Sequence, residues 1–140
     1  MRQGDILQAC YDLLDHASVT GLLSASYGVS AIFQRGRVPR DDAGDARYFP
    51  YITYWIVADG DYSDKSALGG DAVVQVDIWD RSGSELTTAA LMRAVSLRIV
   101  RQTWAITGFI DCAREMSEIM DDPDGLTKHG EIRARVTYID

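Results

Sequence analysis

Alternation of apolar and polar residues marks two strands in the second half of the chain. Every second residue is apolar in residues 71–80, and the same pattern recurs in residues 132–139. A period of two is typical of a strand with one buried face. The residues predicted to face the core are Ala72, Val74, Val76 and Ile78 in the first strand and Ile132, Ala134, Val136 and Tyr138 in the second. If the two strands are neighbours, Arg133 and Arg135 could pair with Asp77.

A helical period marks the N-terminal segment, residues 5–17. Its apolar residues recur at the spacing of one helix face, and they are Ile6, Leu7, Cys10, Leu13, Leu14 and Ala17. Asp5 can cap the start of this helix, and Thr20 and Gly21 are expected to end it. His16 would then lie near the helix C-terminus, where a histidine interacts favourably with the helix dipole.

A second helix is predicted to follow the strand at residues 71–80. Ser82-Gly83-Ser84-Glu85 matches a capping box, so the helix should begin there and run to about Gln102. One apolar stripe on it comprises Thr88, Leu91, Met92, Val95 and Ile99. A second stripe, interrupted by Arg93 and Arg101, comprises Leu86, Ala90, Leu97 and Val100. Two stripes need two surfaces, so the sheet would cover one, and the first helix or a neighbouring subunit the other.

Further extended segments complete the predicted sheet. Residues 31–33 could form a short strand, and residues 51–57 form an aromatic and β-branched strand after Pro50. Near the C-terminus, residues 108–119 and 127–139 flank strong turn chemistry in Asp122, Pro123, Asp124 and Gly125. We therefore predict an α+β fold: a mainly antiparallel sheet of about four to five strands, two main helices and a final long β-hairpin.

Two polar segments are predicted to be surface loops, at residues 34–47 and 58–70. Loops longer than about 12 residues are uncommon in small domains and are often functional, so these are the first places expected to contact a partner. The candidate interaction residues are Arg35, Arg37, Arg40, Asp59, Asp61, Tyr62, Asp64 and Lys65 in the loops, with Arg93 and Arg101 on the second helix.

Length and charge narrow the function classes. The 140 residues fit one domain, residues 1–140, and the net charge of −7 opposes a nucleic-acid grip, which depends on clustered Lys and Arg. We find no signal-type apolar segment at the N-terminus and no run long enough to cross a bilayer, so we expect a protein without membrane contact that is made in the cytoplasm. Cys10 and Cys112 are expected to be buried, reduced thiols.

Candidate chemistry is sparse. Residues 59–70 begin like a calcium-binding EF-hand loop, but Asp64 stands where glycine should make the bend and Gly70 replaces the bidentate glutamate. No nucleophile motif surrounds His129, whose expected role is a hydrogen bond that fixes the hairpin. Trp55, Trp79 and Trp104 are expected in the core. We therefore predict no catalytic residues, no metal site and no cofactor.

The order of these pieces resembles the tail-completion, or tail terminator, family of long-tailed bacteriophages, prophages and gene transfer agents. The resemblance covers residues 6–138, and its most specific parts are the corner Trp79-Asp80-Arg81-Ser82-Gly83 and the hairpin Asp122-Pro123-Asp124-Gly125 with His129-Gly130. It implies an α+β protein that forms a six-fold ring on the head-proximal end of the tail tube. Such a ring stops tube polymerisation and meets the neck proteins of the head, while DNA passes through its channel without specific binding.

The family implied by this resemblance contributes no catalytic residues and places the protein in the virion, at the head–tail junction. A head-completion or neck connector protein is the alternative within assembly. A small enzyme or ligand-binding domain, using His129 with Asp121, Asp122 and Asp124, is the alternative outside it. The acidic balance agrees with a channel that does not grip passing DNA.

Overall fold

The computed structural model describes residues 3–61 and 69–139, with residues 59–61 described by their backbone only. Two helices precede three strands, and a third helix separates these from the last two strands. The elements are α1 (Gln3–Leu14), α2 (Ala17–Thr20), β1 (Ile32–Gln34), β2 (Tyr51–Asp61), β3 (Gly69–Asp80), α3 (Glu85–Ile99), β4 (Phe109–Asp121) and β5 (Lys128–Ile139).

The strands form one sheet in the order β1-β2-β3-β5-β4. β1 pairs with β2 in parallel, and the remaining neighbours are antiparallel. The predicted α+β class and the final hairpin are confirmed. The sheet is mixed because the long 34–50 connection leads from the end of β1 back to the start of β2, so that the two strands run parallel. β3 and β5 are neighbours, the arrangement under which a pairing of Arg133 and Arg135 with Asp77 was considered.

The helices cover one face of the sheet. α1 packs against β2 and α3, and α3 packs against β3, β5 and β4. All eight strand residues predicted to face the core are buried, with exposed fractions of 3% or less. Burial of a side chain such as Ile78 or Ile132 contributes roughly 1.5–3 kcal/mol, so this face carries much of the folding free energy.

The predicted first helix is broken in two. α1 starts at Gln3, so Asp5 lies in its first turn and is not its cap, and α1 ends at Leu14. His16 has an extended backbone and caps α2: its Nδ1 accepts a hydrogen bond from the Ser18 amide at 3.2 Å. The dipole role predicted for His16 was therefore wrong, because the imidazole satisfies an unpaired amide at a helix start.

The predicted 58–70 loop is shorter than expected. β2 continues through residues 58–61, and Gly69 and Gly70 already belong to β3. A register shift between Ile56 and Ala58 lets β2 continue past the point where its apolar run ends. Asp59 and Asp61 therefore lie in a strand, whereas Tyr62, Asp64 and Lys65 lie outside the described residues.

The second helix is also shorter than predicted. Its N-cap is Ser84, whose hydroxyl accepts a hydrogen bond from the Leu86 amide at 3.2 Å, and the helix ends at Ile99 rather than Gln102. Ser82 does not cap the helix; its hydroxyl donates to Asp80 Oδ2 at 2.8 Å. All residues of the first apolar stripe are buried, whereas Leu86 and Leu97 of the second stripe are exposed in the subunit.

The 34–47 segment is more ordered than a structureless loop. A β-bridge joins Arg40 to Ala46, and the Asp41 carboxylate accepts hydrogen bonds from the amides of Ala43 and Asp45, each at 3.0 Å. Val38 and Ala46 are buried. The segment is thus anchored at two apolar points.

Candidate functional site

The hairpin turn between β4 and β5 is held by one carboxylate. Asp124 Oδ1 accepts hydrogen bonds from the amides of Leu126 and Thr127 at 2.8 and 2.9 Å, and Oδ2 accepts from the Thr127 hydroxyl at 2.6 Å. These bonds, led by that from the Thr127 hydroxyl, lower the pKa of Asp124 to about 2. Gly125 has φ +70°, as the turn chemistry predicted.

Arg81 connects this turn to two other segments. Its Nε donates to the Thr127 hydroxyl at 3.0 Å, and its Nη2 lies 3.3 Å from Asp124 Oδ2 and 3.8 Å from Asp45 Oδ1. The guanidinium also lies over the Phe49 ring, 4.3 Å from its centroid. The hairpin turn, the 34–47 segment and the start of β2 therefore meet at one arginine, which we call the Arg81 corner.

A pocket of about 480 Å³ opens at this corner. It brings the predicted interaction residues Arg35 and Arg40 together with Asp122 and Asp124 of the hairpin turn. Trp79 and Tyr51 form one wall, with their rings stacked 6.3 Å apart. Its mixed charge and aromatic wall suit a protein contact.

A buried carboxylate, Asp77, organises the sheet face opposite the helices. Asp77 Oδ1 lies 2.7 Å from His129 Nε2 and accepts from Gln75 Nε2 at 2.8 Å, while Oδ2 accepts from Trp55 Nε1 at 3.3 Å. The His129 ring stacks on Trp79 at 4.0 Å. His129 therefore ties the hairpin to β3, which goes beyond the predicted role within the hairpin.

The arginines of β5 have other partners than Asp77. Arg133 Nε donates to Gln75 Oε1 at 2.8 Å and lies 3.6 Å from Glu131, and Arg135 pairs with Asp71 at 2.9 Å and with Glu115. The pairing of both arginines with Asp77 was therefore wrong. The register places Asp77 opposite Glu131, so each arginine is closer to a different acceptor.

Asp77, His129 and Glu131 also form the one group of metal-ligand type found among the described residues. Each offers one ligand atom, and these atoms lie within 4.8 Å of one another. His with two carboxylates is a donor set that suits a borderline divalent ion. In the present arrangement the carboxylate of Asp77 is already hydrogen-bonded by three side chains.

Two residues of the second predicted stripe, Leu97 and Val100, line a groove of about 600 Å³ between α3 and β4. Met92, Leu97 and Val100 supply apolar surface, and three arginines line the same groove. Arg93 comes from α3, Arg101 from the turn that follows it, and Arg114 from β4. Within the described part of the chain, none of the three has an ion pair.

The fold separates Arg37 from the other two predicted arginines of the 34–47 segment. Arg35 lies over the Trp55 ring at 4.0 Å, and Arg40 donates to the Gly44 carbonyl at 3.1 Å near the Arg81 corner. Arg37 lines a different depression, beside Tyr11 and Tyr54. Of the three tryptophans predicted to be core, Trp104 is buried, whereas Trp55 and Trp79 are half-buried.

Two residues important to these surfaces were not predicted. Arg81 was noted only as part of the corner sequence, and its polar partners come from residues far away in the chain. For Arg114 the sequence does contain a signal. Arg114 follows the buried Cys112 by two residues, so the strand period places its charged side chain on the face of the sheet that the helices cover.

The longest described helix, α3, has 15 residues, and the described residues contain no helix long and apolar enough to cross a membrane. The same α+β architecture occurs in two solved structures. One is a chain of the virion of a native gene transfer agent particle, with 18% identity, a TM-score of 0.77, and 99% of this chain and 98% of that chain covered. The other is the gp17 protein of bacteriophage SPP1, with 15% identity, a TM-score of 0.60, and 96% and 89% covered. At these identities the likeness concerns the fold.

No curated protein sequence matches the chain. A family model does match: that of tail completion protein gp17, over residues 17–139. The match includes the Trp79–Gly83 corner and the hairpin turn, and it begins after the end of α1. The chain belongs to the tail completion protein gp17 family.

Proposed function

We propose that this protein is a tail terminator: a structural virion protein that forms a ring, a hexamer, on the head-proximal end of a tail tube. The ring stops tube polymerisation and offers its other face to the head-completion or neck protein. DNA passes through its channel. The observation that carries the proposal is the family match over residues 17–139, which assigns a structural role in the tail.

Surface features of the subunit support the proposal. Leu97 and Val100 of the second apolar stripe line an open groove, and Leu97 and Leu86 are 47% and 82% exposed. Apolar surface of this kind suits contact with another protein. Because the net charge is −7, binding of DNA phosphates to the protein would gain no free energy from counterion release, which suits a channel for passing DNA.

Two regions would contact tube, neighbours or neck. The Arg81 corner gathers Arg35 and Arg40 beside the hairpin turn. The second region is the predicted segment 58–70, with Asp59 and Asp61 at the end of β2 and with Tyr62, Asp64 and Lys65 following in the sequence. No step of this function needs a catalytic group or a cofactor.

Tube polymerisation in the presence of the protein tests the proposal. Purified tail tube protein should stop elongating when the protein is added, and negative-stain images should show a ring at one tube end. Native mass spectrometry of the capped end should give six copies. Binding to the head connector in place of the tube would favour a neck protein, and continued elongation with no end-bound density would overturn the proposal.

A further inference from the structure

The groove between α3 and β4 gathers three arginines that have no ion pair within the described subunit. Arg93 on α3 and Arg101, two residues beyond the end of α3, line it together with Leu97, and Arg114 of β4 lines its other side. Of the other arginines, Arg81 and Arg135 have carboxylate partners and Arg98 donates to the Leu13 carbonyl at 2.8 Å. A second set without an ion pair lies in the 34–47 segment, where Arg35 covers the Trp55 ring and Arg40 and Arg47 donate to backbone carbonyls. A net charge of −7 makes three unpaired arginines in one groove an anion-seeking surface.

The edge of β4 favours side-chain docking over addition of a strand. The β4 ladder is interrupted by register shifts between Phe109 and Asp111 and between Arg114 and Met116. Glu115 and Glu118 add charges at the same edge. Bulges and charges of this kind discourage edge-to-edge pairing. The occupant should therefore present carboxylates and a modest apolar surface to the groove.

A complementary surface lies on α1. Asp5 and Asp12 stand seven residues apart on its exposed side, and no Lys or Arg occurs in Gln3–Leu14. Asp12 accepts a hydrogen bond from Gln8, and neither carboxylate has a cationic partner among residues 3–61 and 69–139. We call Asp5 and Asp12 the acidic face of α1.

The two charged surfaces are different surfaces of the subunit. α1 lies over β2 and packs against one side of α3, whereas the arginine groove opens between α3 and β4. Surfaces placed in this way make a heterologous, head-to-tail contact, which closes into a ring when the rotation between copies permits it.

We propose that the arginine groove formed by Arg93, Arg101 and Arg114 binds the acidic face of α1, Asp5 and Asp12, in a second copy of this chain. The inference rests on the proposed ring function, and it names the contact between adjacent subunits. The apolar residues Leu97 and Val100 lose water at the same contact, which buries the part of the second stripe that lines the groove.

Charge reversal with rescue tests this contact. The double variant Arg93→Glu/Arg101→Glu should raise the protein concentration needed for half-maximal ring assembly by about tenfold or more, because two attractions become repulsions. Adding Asp5→Lys/Asp12→Lys should restore assembly. The matched control adds Asp42→Lys/Asp111→Lys instead, which restores the net charge at exposed positions away from α1 and should not restore assembly. Assembly is measured by native mass spectrometry and by capping of tail tubes, and circular dichroism verifies the fold of each variant.

The outcomes separate this contact from the ring function itself. Normal rings in the double variant would overturn the groove contact and leave the terminator role standing. If the double variant loses its rings and both pairs of added lysines restore them equally, the effect is one of net charge. If neither pair restores the rings, the groove binds another acidic partner. Either result overturns the inference. A wild-type protein that neither assembles nor caps tubes would overturn both proposals.

Discussion

His129 Nε2 lies 2.7 Å from Asp77 Oδ1, and this contact joins the final hairpin to the centre of the sheet. Asp77 is only 5% exposed, and three side chains form hydrogen bonds with its carboxylate. The stacking of His129 on Trp79 holds the imidazole in place from the side. The most specific sequence segments, the Trp79 corner and the hairpin, thus meet in one polar cluster.

A double-mutant cycle on His129→Ala and Asp77→Ala should reveal their coupling. We expect a coupling free energy of about 1 kcal/mol or more from chemical denaturation, since neighbours that share a buried hydrogen bond are not additive. His129→Ala with Arg135→Ala is the control cycle, because Arg135 is bound to Asp71 and Glu115. If the free-energy changes of His129→Ala and Asp77→Ala add as fully as those of the control pair, the contact between His129 and Asp77 does not stabilise the fold.

Gly125→Val should destabilise the hairpin turn. A Cβ at Gly125 would meet no heavy atom within 4 Å, so the cost comes from its φ of +70°. A β-branched residue there should cost about 1–3 kcal/mol in the free energy of unfolding, with a lower tail-capping yield. Gly4→Ala is a control with equally open space in helix α1, and it should be neutral or stabilising. Equal thermal stability of the two variants would refute the turn assignment.

Stability should fall at acid pH through Asp124. Its pKa in the folded protein is about 2, below the ordinary value of 3.8, so its contribution is present above about pH 4 and is lost as pH falls toward 2. NMR titration of Asp124 in the wild type should give the low value. Thr127→Val removes the hydroxyl that contributes most, so the pKa of Asp124 should rise toward its ordinary value in that variant. An unchanged titration in Thr127→Val would assign the shift to the backbone amides instead.

The two thiols should be unreactive in the folded protein. Cys10 and Cys112 are buried and unpaired, and burial raises the pKa of Cys112 to about 12 and that of Cys10 still further. A disulfide reagent such as DTNB at about pH 8 should therefore label neither thiol until denaturant is added, because the thiolate is the reactive form. Ala105→Cys, at an exposed position between α3 and β4, is the positive control and should react at once. Rapid labelling of the wild type would contradict the packing around both cysteines.

The sequence alone determined the parts of this protein that depend on a regular period. Alternation in residues 71–80 and 132–139 identified the central strands and their buried faces, because a strand with one solvated side must repeat every two residues. The same logic gave the buried stripe of α3, and local turn chemistry gave the hairpin at Gly125. The family resemblance required no coordinates, since it rests on sequence segments that the family match includes.

Tertiary structure decided what depends on neighbours distant in the chain. Residues 5–17 have a continuous helical pattern, yet α1 ends at Leu14 and His16 caps α2, because a cap is chosen by backbone geometry that periodicity does not encode. Likewise, Ser84 and not Ser82 caps α3, since Ser82 is bound to Asp80. Side-chain pairing was the least predictable feature. The register of β3 against β5 brings Asp77 into contact with His129, and the packing of the helix layer leaves Arg93, Arg101 and Arg114 around an open groove. Long-range contacts of this kind are fixed only when the sheet order and the helix layer are in place.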